Sequence, residues 1–207
     1  MKQISNILPA FVILFIFTFT GCSRKSYPIA EYHQLTGRNA KPYTKQGNKT
    51  VDNTLLLSKK YRFTLSPKDS VFVYQQYETK ILSNYKEFFI DVVPEKNYKI
   101  TVHSLPDTHI TRNKYLFKPY TLIFDKENKI IKVTSAKDEF TGMREEPGLK
   151  RTITFNSGNA EQAAIVLFSD NNELDKEIYT FTLNFVTFKY KTATTGDFHI
   201  TIEEIKE

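Results

Sequence analysis

The stretch at residues 98–103 (YKITVH) alternates apolar and polar side chains at every position. Successive side chains of a β-strand point to opposite faces, so this alternation predicts a strand with one face buried and the other in solvent. The same pattern recurs at residues 61–65 (YRFTL), 179–185 (YTFTLNF) and 198–203 (FHITIE). Short polar segments separate these stretches, and that arrangement is typical of antiparallel sheets.

Further strand patterns between these stretches make the predicted fold class all-β. They lie at residues 70–75, 88–93, 152–155 and 163–168, and a predicted hairpin spans 121–133 around a turn at 125–129. The apolar positions of residues 186–190 fall out of phase with those of 179–185, which predicts a bulge or bend near Thr187. Because no strong amphipathic helix is present, about eight or nine short strands predict a single antiparallel β-sandwich of jelly-roll type.

The N-terminus has the layout of a bacterial secretory signal. Lys2 supplies a positive charge, and the apolar run ILPAFVILFIFTF follows it. That run has about 13 residues, whereas a helix that crosses a bilayer needs roughly 20. The run ends at Thr20-Gly21-Cys22, where small residues precede the only cysteine of the chain, as in the lipobox of bacterial lipoproteins. The sequence therefore predicts a signal peptide at residues 1–21 and a lipidated Cys22.

The residues after Cys22 predict where the anchored protein is held. A serine at position 23 favours the outer membrane, so the lipid is predicted to hold the protein on the periplasm-facing leaflet of that membrane. Residues 22–53 are rich in Lys, Arg, Pro and Gly without a sustained apolar period, which predicts a flexible basic tether. Residues 54–207 form the predicted sandwich. The net charge of +6 does not indicate a nucleic-acid partner, because the chain is predicted to be exported.

The sequence lacks the motifs that carry catalysis or hold a cofactor. It contains neither a glycine-rich phosphate loop nor a Gly-x-Ser-x-Gly elbow. Residues 170–175 (DNNELD) offer oxygen ligands for calcium, but they lack the central glycine of a calcium loop. The histidines are scattered, and none stands at metal-ligand spacing from another: His33, His103, His109 and His199. The sequence therefore predicts a protein that is not an enzyme, with no catalytic residue, no metal and no cofactor.

Three tyrosines are the candidate ligand-binding residues. Tyr74, Tyr77 and Tyr85 lie in or beside a polar segment. An exposed tyrosine ring can stack on the C–H face of a sugar while its hydroxyl stays hydrated. In the predicted strand, Val71 and Val73 face the core, so Tyr74 points the other way. The alternative, in which the three rings belong to the core and its rim, stays open because the chain has no tryptophan and most aromatic positions follow the core alternation.

Several short motifs occur in a fixed order between residues 98 and 203. They are 101–104 (TVHS) leading to 116–125 (LFKPYTLIFD), 140–141 (FT) followed by 146–148 (EPG) and 152–155 (TITF), and 194–196 (TTG) before the last strand. In order and spacing they resemble the maltose operon periplasmic protein (MalM-like) family. The resemblance implies a periplasmic accessory associated with maltodextrin uptake, without an established enzymatic activity. The motifs are turns and strand ends, so they carry over no active site.

Two functions are compatible with these patterns. The first is a carbohydrate-binding accessory that holds maltodextrin-like sugars near an outer-membrane porin, which the family resemblance and the tyrosine-rich segment support. The second is an envelope interaction protein that binds an outer-membrane protein or peptidoglycan. The lipid anchor, the long tether and the absence of tryptophan support this second function. In both, the protein reaches the membrane through its lipid anchor.

Overall fold

The computed structural model describes residues 27–43, 47, 49–76, 79–108, 111–142 and 146–206. These residues form thirteen strands, one α-helix and one 3-10 turn. The predicted signal peptide, Cys22 and Tyr77 lie outside the described residues. The fold class is all-β, as the alternating stretches predict, although the strands are more numerous than expected.

The strands are mostly short and follow one another closely along the chain. The helix α1 is Pro28–Thr36, and the 3-10 turn is Asn171–Glu173. The strands are β1 (Lys41–Pro42), β2 (Tyr61–Leu65), β3 (Val71–Gln76), β4 (Thr79–Asp91), β5 (Asn97–Ser104), β6 (Asn113–Phe117), β7 (Pro119–Asp125), β8 (Val133–Thr141), β9 (Gly148–Asn156), β10 (Gln162–Ser169), β11 (Glu177–Leu183), β12 (Val186–Ala193) and β13 (Gly196–Glu204). Strand β4 is the longest because its first half pairs with β3 and its second half with β10.

The strands are arranged in three sheets. The first sheet has the order β2-β13-β5-β9-β8, the second has the order β1-β3-β4-β10-β7, and the third has the order β11-β12-β6. Side chains of the first and second sheets share one hydrophobic core, which makes the fold a β-sandwich. The third sheet packs through Tyr190 against Phe140 of β8 and Leu149 of β9.

The pairing of strands is nested, as in a jelly roll. Strand β2 pairs with β13, β4 pairs with β10, and β5 pairs with β9, so each later pair lies inside the earlier one along the chain. The innermost pairing is a bridge between Phe124 of β7 and Ile130. Beyond Ile130 the chain crosses from the second sheet to the first and forms β8 there. The predicted β-sandwich of jelly-roll type is therefore confirmed.

The main core is built from the side chains that the alternation turns inward. In β5 every second residue is buried, and Tyr98, Ile100 and Val102 have no exposed surface. They share this core with Ile90 and Ile165 of the second sheet. Burial of one such side chain contributes about 1.5–3 kcal/mol to stability. The outward positions of β5 are only half-buried, and they form a polar surface.

The second sheet is apolar on both of its faces. Seven of the eight residues of β10 are buried. One face joins the main core, and the opposite face carries a second set of packed rings, here called the aromatic cluster. Its buried members are Phe72, Phe89, Phe124, Ala164, Val166 and Phe168, and its half-buried members are Tyr43, Tyr74, Tyr85, Tyr120 and Leu122. Val71 and Val73, predicted to face the core, are half-buried, whereas Phe72 between them is 2% exposed.

Part of the stretch predicted to be a flexible tether is folded. Helix α1 begins with a proline in its first turn and ends before Gly37, and its Leu35 is buried. Strand β1 adds a parallel edge to β3, with Lys41 opposite Phe72. Arg38 donates a hydrogen bond to the carbonyl oxygen of Pro67 at 2.9 Å. Described residues before Thr54 therefore belong to the folded part as well. Among the residues that the structure describes, no helix has the length and apolar character needed to cross a membrane.

Two further differences concern strands at the edges of the sheets. The bulge or bend predicted near Thr187 is a complete reversal of the chain, because β11 and β12 form a hairpin in which Leu183 pairs with Val186. The only register irregularity in that pair lies near Glu177. Strand β8 lies where the sequence predicted no strand, and most of its residues are exposed. As an edge strand it pairs only with β9, so its side chains are not required to alternate.

Candidate functional site

The described candidate tyrosines lie in the aromatic cluster instead of forming an open platform. Tyr74 is half-buried, and its ring centroid lies 5.4 Å from that of Phe168 and 5.5 Å from that of Tyr120. Tyr85 is also half-buried, and its ring lies edge-on to that of Phe72 at 5.2 Å. Tyr77 lies outside the described residues. The two described rings therefore have much of their area in contact with other aromatic side chains.

Tyr43 closes the aromatic cluster from the side of the N-terminal segment. Its ring lies 4.9 Å from that of Phe124 and 5.9 Å from that of Tyr85. Its hydroxyl donates a short hydrogen bond to the Glu87 carboxylate. Burial, followed by this hydrogen bond, raises the pKa of the Tyr43 hydroxyl far above its usual value. The hydroxyl therefore stays protonated and holds Tyr43, at the end of β1, against the sheet.

Two histidines meet on the polar face of the first sheet. Strands β5 and β13 are antiparallel neighbours, and His103 lies directly opposite His199 in their register. Both occupy outward positions of the alternation, and their ring centroids are 6.4 Å apart. The alternation alone predicts that each histidine faces outward. The pair is not evident from the sequence, because no local pattern shows that these two strands are neighbours.

A carboxylate completes this group. Glu146 lies just before β9, and its Oε2 is 3.2 Å from Nδ1 of His199 and 3.8 Å from Nζ of Lys60. One ligand atom from each of His103, Glu146 and His199 lies within 4.8 Å of the others. Two imidazoles and one carboxylate are a donor set that suits zinc and other divalent transition metals. The three residues are called the His-Glu-His cluster below.

Thr141 orients the ring of His103. Its hydroxyl lies 2.8 Å from the carbonyl oxygen of Glu146 and 3.1 Å from that of Gly148, so its proton is directed to a backbone acceptor. Its oxygen then accepts a hydrogen bond from Nε2–H of His103 at 3.0 Å. Gly148 permits this close approach, since a Cβ there would lie 2.3 Å from the carbonyl oxygen of Ser104 and 2.5 Å from Nε2 of His103.

The surroundings favour neutral imidazoles in the His-Glu-His cluster. Burial lowers the pKa of His103, and the nearby Glu146 carboxylate offsets part of that effect. Burial also lowers the pKa of His199, and the positive charge of Lys60 lowers it further. Neutral imidazole is the form that binds metal ions. At neutral pH the two rings are therefore in the protonation state that metal binding requires.

The turn between β11 and β12 presents an aromatic side chain to solvent. Asn184 and Phe185 form a two-residue turn in which both φ angles are positive, at 46° and 66°. Such a turn matches the twist of a hairpin and strongly favours glycine at its second position. Phe185 is nevertheless fully exposed, and Leu183 beside it is 43% exposed. These two residues are called the hairpin tip below.

Packing does not account for phenylalanine at the hairpin tip. A residue with a Cβ in the left-handed conformation costs about 1–2 kcal/mol relative to the right-handed one. The hairpin is instead stabilised at its base, where the Phe181 and Phe188 rings stack at 5.1 Å and the Phe140 and Tyr179 rings stack at 3.9 Å. Phe185 lies beyond those contacts with its whole surface in solvent. Strain without compensating packing points to a role outside the fold.

The carboxylates of residues 170–175 bind lysines. Asp170 pairs with Lys118 at 3.0 Å, Glu173 with Lys176 at 2.5 Å, and Asp175 with Lys191 at 3.1 Å. Asp170 also caps the 3-10 turn by accepting a hydrogen bond from the backbone N–H of Asn172. These ion pairs and the cap favour a structural turn over the calcium loop considered above.

No protein-family model, curated protein sequence or solved structure matches this chain. The resemblance to the MalM-like family therefore stays a prediction. Three features of the described residues bear on function: the aromatic cluster, the His-Glu-His cluster and the hairpin tip.

Proposed function

We propose that this chain is a lipid-anchored, non-catalytic accessory protein of the bacterial envelope that docks an outer-membrane protein through the hairpin tip. The N-terminal pattern supports the anchor, since the short apolar run and Thr20-Gly21-Cys22 are typical of lipoproteins. One acyl chain binds a membrane weakly, whereas the two or three chains of a bacterial lipoprotein hold it stably. The sandwich is then confined near proteins of the same membrane.

The observation that carries this proposal is the exposed, strained Phe185. Aromatic side chains that fill a partner's pocket are frequent hot spots of protein interfaces, and removal of one typically costs about 2 kcal/mol or more of binding energy. At that magnitude, loss of the ring weakens binding by roughly 30-fold. The hairpin tip places such a ring, beside Leu183, at the end of a two-stranded hairpin.

The charges of the hairpin favour a protein partner over an anionic lipid surface. A segment that adsorbs on anionic lipid uses unpaired lysines, each worth about 1 kcal/mol near the surface. Here Lys189 pairs with Glu177 at 2.8 Å, and Lys191 pairs with Asp175 at 3.1 Å. Both lysines of the hairpin are thus neutralised by carboxylates. Because the hairpin tip is apolar and the two lysines near it are paired with carboxylates, the tip suits an apolar pocket on a protein.

Site-specific photo-crosslinking tests this function in the native membrane. A photoreactive phenylalanine analogue is placed at position 185 of the full chain, and the matched control carries it at Ile130, which is 67% exposed on another turn. We expect a discrete crosslink to one outer-membrane protein from position 185 and not from position 130. Equal crosslinking from the two positions, or crosslinking from position 185 only to lipid, would rule out docking through the hairpin tip.

A second candidate function is carbohydrate binding at the edge of the aromatic cluster. The hydroxyls of Tyr74 and Tyr120 lie 3.5 Å apart, and Arg151 stacks on the Tyr120 ring at 4.9 Å. Paired hydroxyls beside half-buried rings offer both hydrogen bonds and stacking to a sugar, as maltodextrin uptake would require. NMR titration of the full chain with maltooligosaccharides and with peptidoglycan fragments tests this. Absence of any shift at millimolar concentration would reject it.

A further inference from the structure

We propose that the His-Glu-His cluster is a binding site for a divalent transition metal, with Zn²⁺ as the ion its donor set fits best. His103 and His199 would supply one imidazole nitrogen each, and Glu146 would supply a carboxylate oxygen. Three protein ligands leave one position of a tetrahedral ion for water or another small ligand. The proposal is independent of the hairpin tip and of the lipid anchor.

The spacing of the ligand atoms is close to what zinc requires. Ligand atoms at about 2.0–2.2 Å from a tetrahedral zinc ion lie about 3.4 Å from one another. The ligand atoms here lie within 4.8 Å of each other, and Oε2 of Glu146 and Nδ1 of His199 are 3.2 Å apart. The Glu146 side chain is 46% exposed, and rotation about its side-chain torsions would bring its carboxylate closer to the two imidazoles.

His199 supplies a second and independent indication of a ligand. Its Nδ1 has essentially no solvent contact and makes no hydrogen bond of acceptable geometry. The carboxylate oxygen of Glu146 lies at 3.2 Å, but its direction does not suit a hydrogen bond. A buried polar atom without a partner costs free energy, so most such atoms in proteins are satisfied. A metal ion shared by Glu146 and His199 would satisfy this nitrogen.

His103 has the support that metal-binding histidines commonly have. A histidine ligand usually donates its other ring N–H to a nearby oxygen, which fixes the tautomer and the ring orientation. Thr141 accepts such a hydrogen bond from Nε2–H of His103. Metal binding through Nδ1 would keep this bond, whereas binding through Nε2 would break it.

The ammonium group of Lys60 already lies beside the Glu146 carboxylate. Its Nζ lies 3.8 Å from Oε2 of Glu146, and its side chain is 59% exposed. Because the lysine is flexible and mostly solvated, an incoming metal ion can displace it into solvent. The ammonium competes with the metal ion for the Glu146 carboxylate, and its positive charge repels the metal ion at short range. Removal of this charge should therefore strengthen metal binding.

Calorimetric titration of the purified full chain in detergent with ZnCl₂ tests the proposal, with Co²⁺ absorption as a report of the coordination geometry. We expect one ion per chain and a dissociation constant in the micromolar range. His103→Ala and His199→Ala should each weaken binding at least tenfold. The matched control is His33→Ala, which removes an exposed histidine of α1 and should leave binding unchanged. Circular dichroism establishes that each variant is folded.

Lys60→Ala keeps the test informative even if a histidine variant unfolds. We expect this variant to bind Zn²⁺ several-fold more tightly than the parent chain, a gain that a damaged fold does not produce. The proposal is overturned if the parent chain binds no stoichiometric Zn²⁺, or if folded His103→Ala and His199→Ala bind as tightly as the parent. Weaker binding by Lys60→Ala would likewise contradict the assignment of Glu146 as a ligand.

Discussion

Replacement of Phe185 by glycine should stabilise the protein while it removes the proposed docking contact. Phe185 has a φ of 66° and is fully exposed, so its side chain contributes strain and no packing. The left-handed conformation costs a phenylalanine about 1–2 kcal/mol, and glycine loses about 0.5–1 kcal/mol more backbone entropy on folding. The difference predicts a net gain of about 0.5–1 kcal/mol for Phe185→Gly.

Thermal unfolding followed by circular dichroism measures this gain. For a chain of this size, about 1 kcal/mol shifts the melting temperature by roughly 2–4 °C, so Phe185→Gly should melt about 1–4 °C higher. The matched control is Phe185→Ala, which keeps a Cβ at the same φ and should change stability by less than about 0.5 kcal/mol. Both variants should fail to co-purify the partner that crosslinking from position 185 identifies. A lower melting temperature for Phe185→Gly would show that the ring packs on the fold and would refute the reasoning.

Three other predictions concern the anchor, the first sheet and the N-terminal segment. Cys22→Ala should abolish incorporation of labelled fatty acid while leaving the circular dichroism spectrum unchanged; retained label would contradict lipidation. Gly148→Ala places a Cβ 2.3 Å from the carbonyl oxygen of Ser104 and should destabilise the fold by about 1–3 kcal/mol, measured by urea unfolding. A chain that begins at Thr54 should be less stable than one that begins at Tyr27, because burial of Leu35 alone contributes about 1.5–3 kcal/mol.

The last two of these predictions have clear contrary outcomes. If Gly148→Ala unfolds at the same urea concentration as the parent chain, the close approach of β9 to β5 is not required. If the two shortened chains have equal stability, α1 and β1 are dispensable, and the folded unit begins near Thr54 as the sequence alone predicts. Both measurements use the same urea titration, so the free energies of unfolding can be compared directly.

The all-β class was predictable because a strand with one face in the core and the other in solvent alternates apolar and polar residues in the sequence. Strands β2, β5 and β13 show that period. The structure buries the inward residues of β5 and β13 as expected, and in β2 it buries Leu65 and half-buries Tyr61 and Phe63. Strand β8 was not predictable in this way, because an edge strand with both faces exposed has no burial to record. The hairpin at Asn184 was missed for a different reason. Its turn has phenylalanine where such turns favour glycine, so the expected turn signal is absent.

The sites were less predictable than the fold, because they depend on which strands are neighbours. The alternation placed His103 and His199 on outward positions, but only the pairing of β5 with β13 brings them together. For Tyr74 the difficulty was the second sheet, which buries side chains on both faces. A strand in such a sheet has no polar face, so the residue that points away from the main core is still packed. Alternation predicts which face of a sheet a side chain occupies. Contacts between strands depend on which strands are neighbours, and alternation does not show that.

Mass spectrometry of the N-terminal peptide, taken from the protein purified out of the membrane of a bacterial host, tests most directly that this is a lipid-anchored envelope protein. We expect a mature chain that begins at Cys22, with a mass increased by a diacylglyceryl group on the cysteine. A chain that retains Met1, that begins at a residue other than Cys22, or that carries an unmodified Cys22 would contradict it.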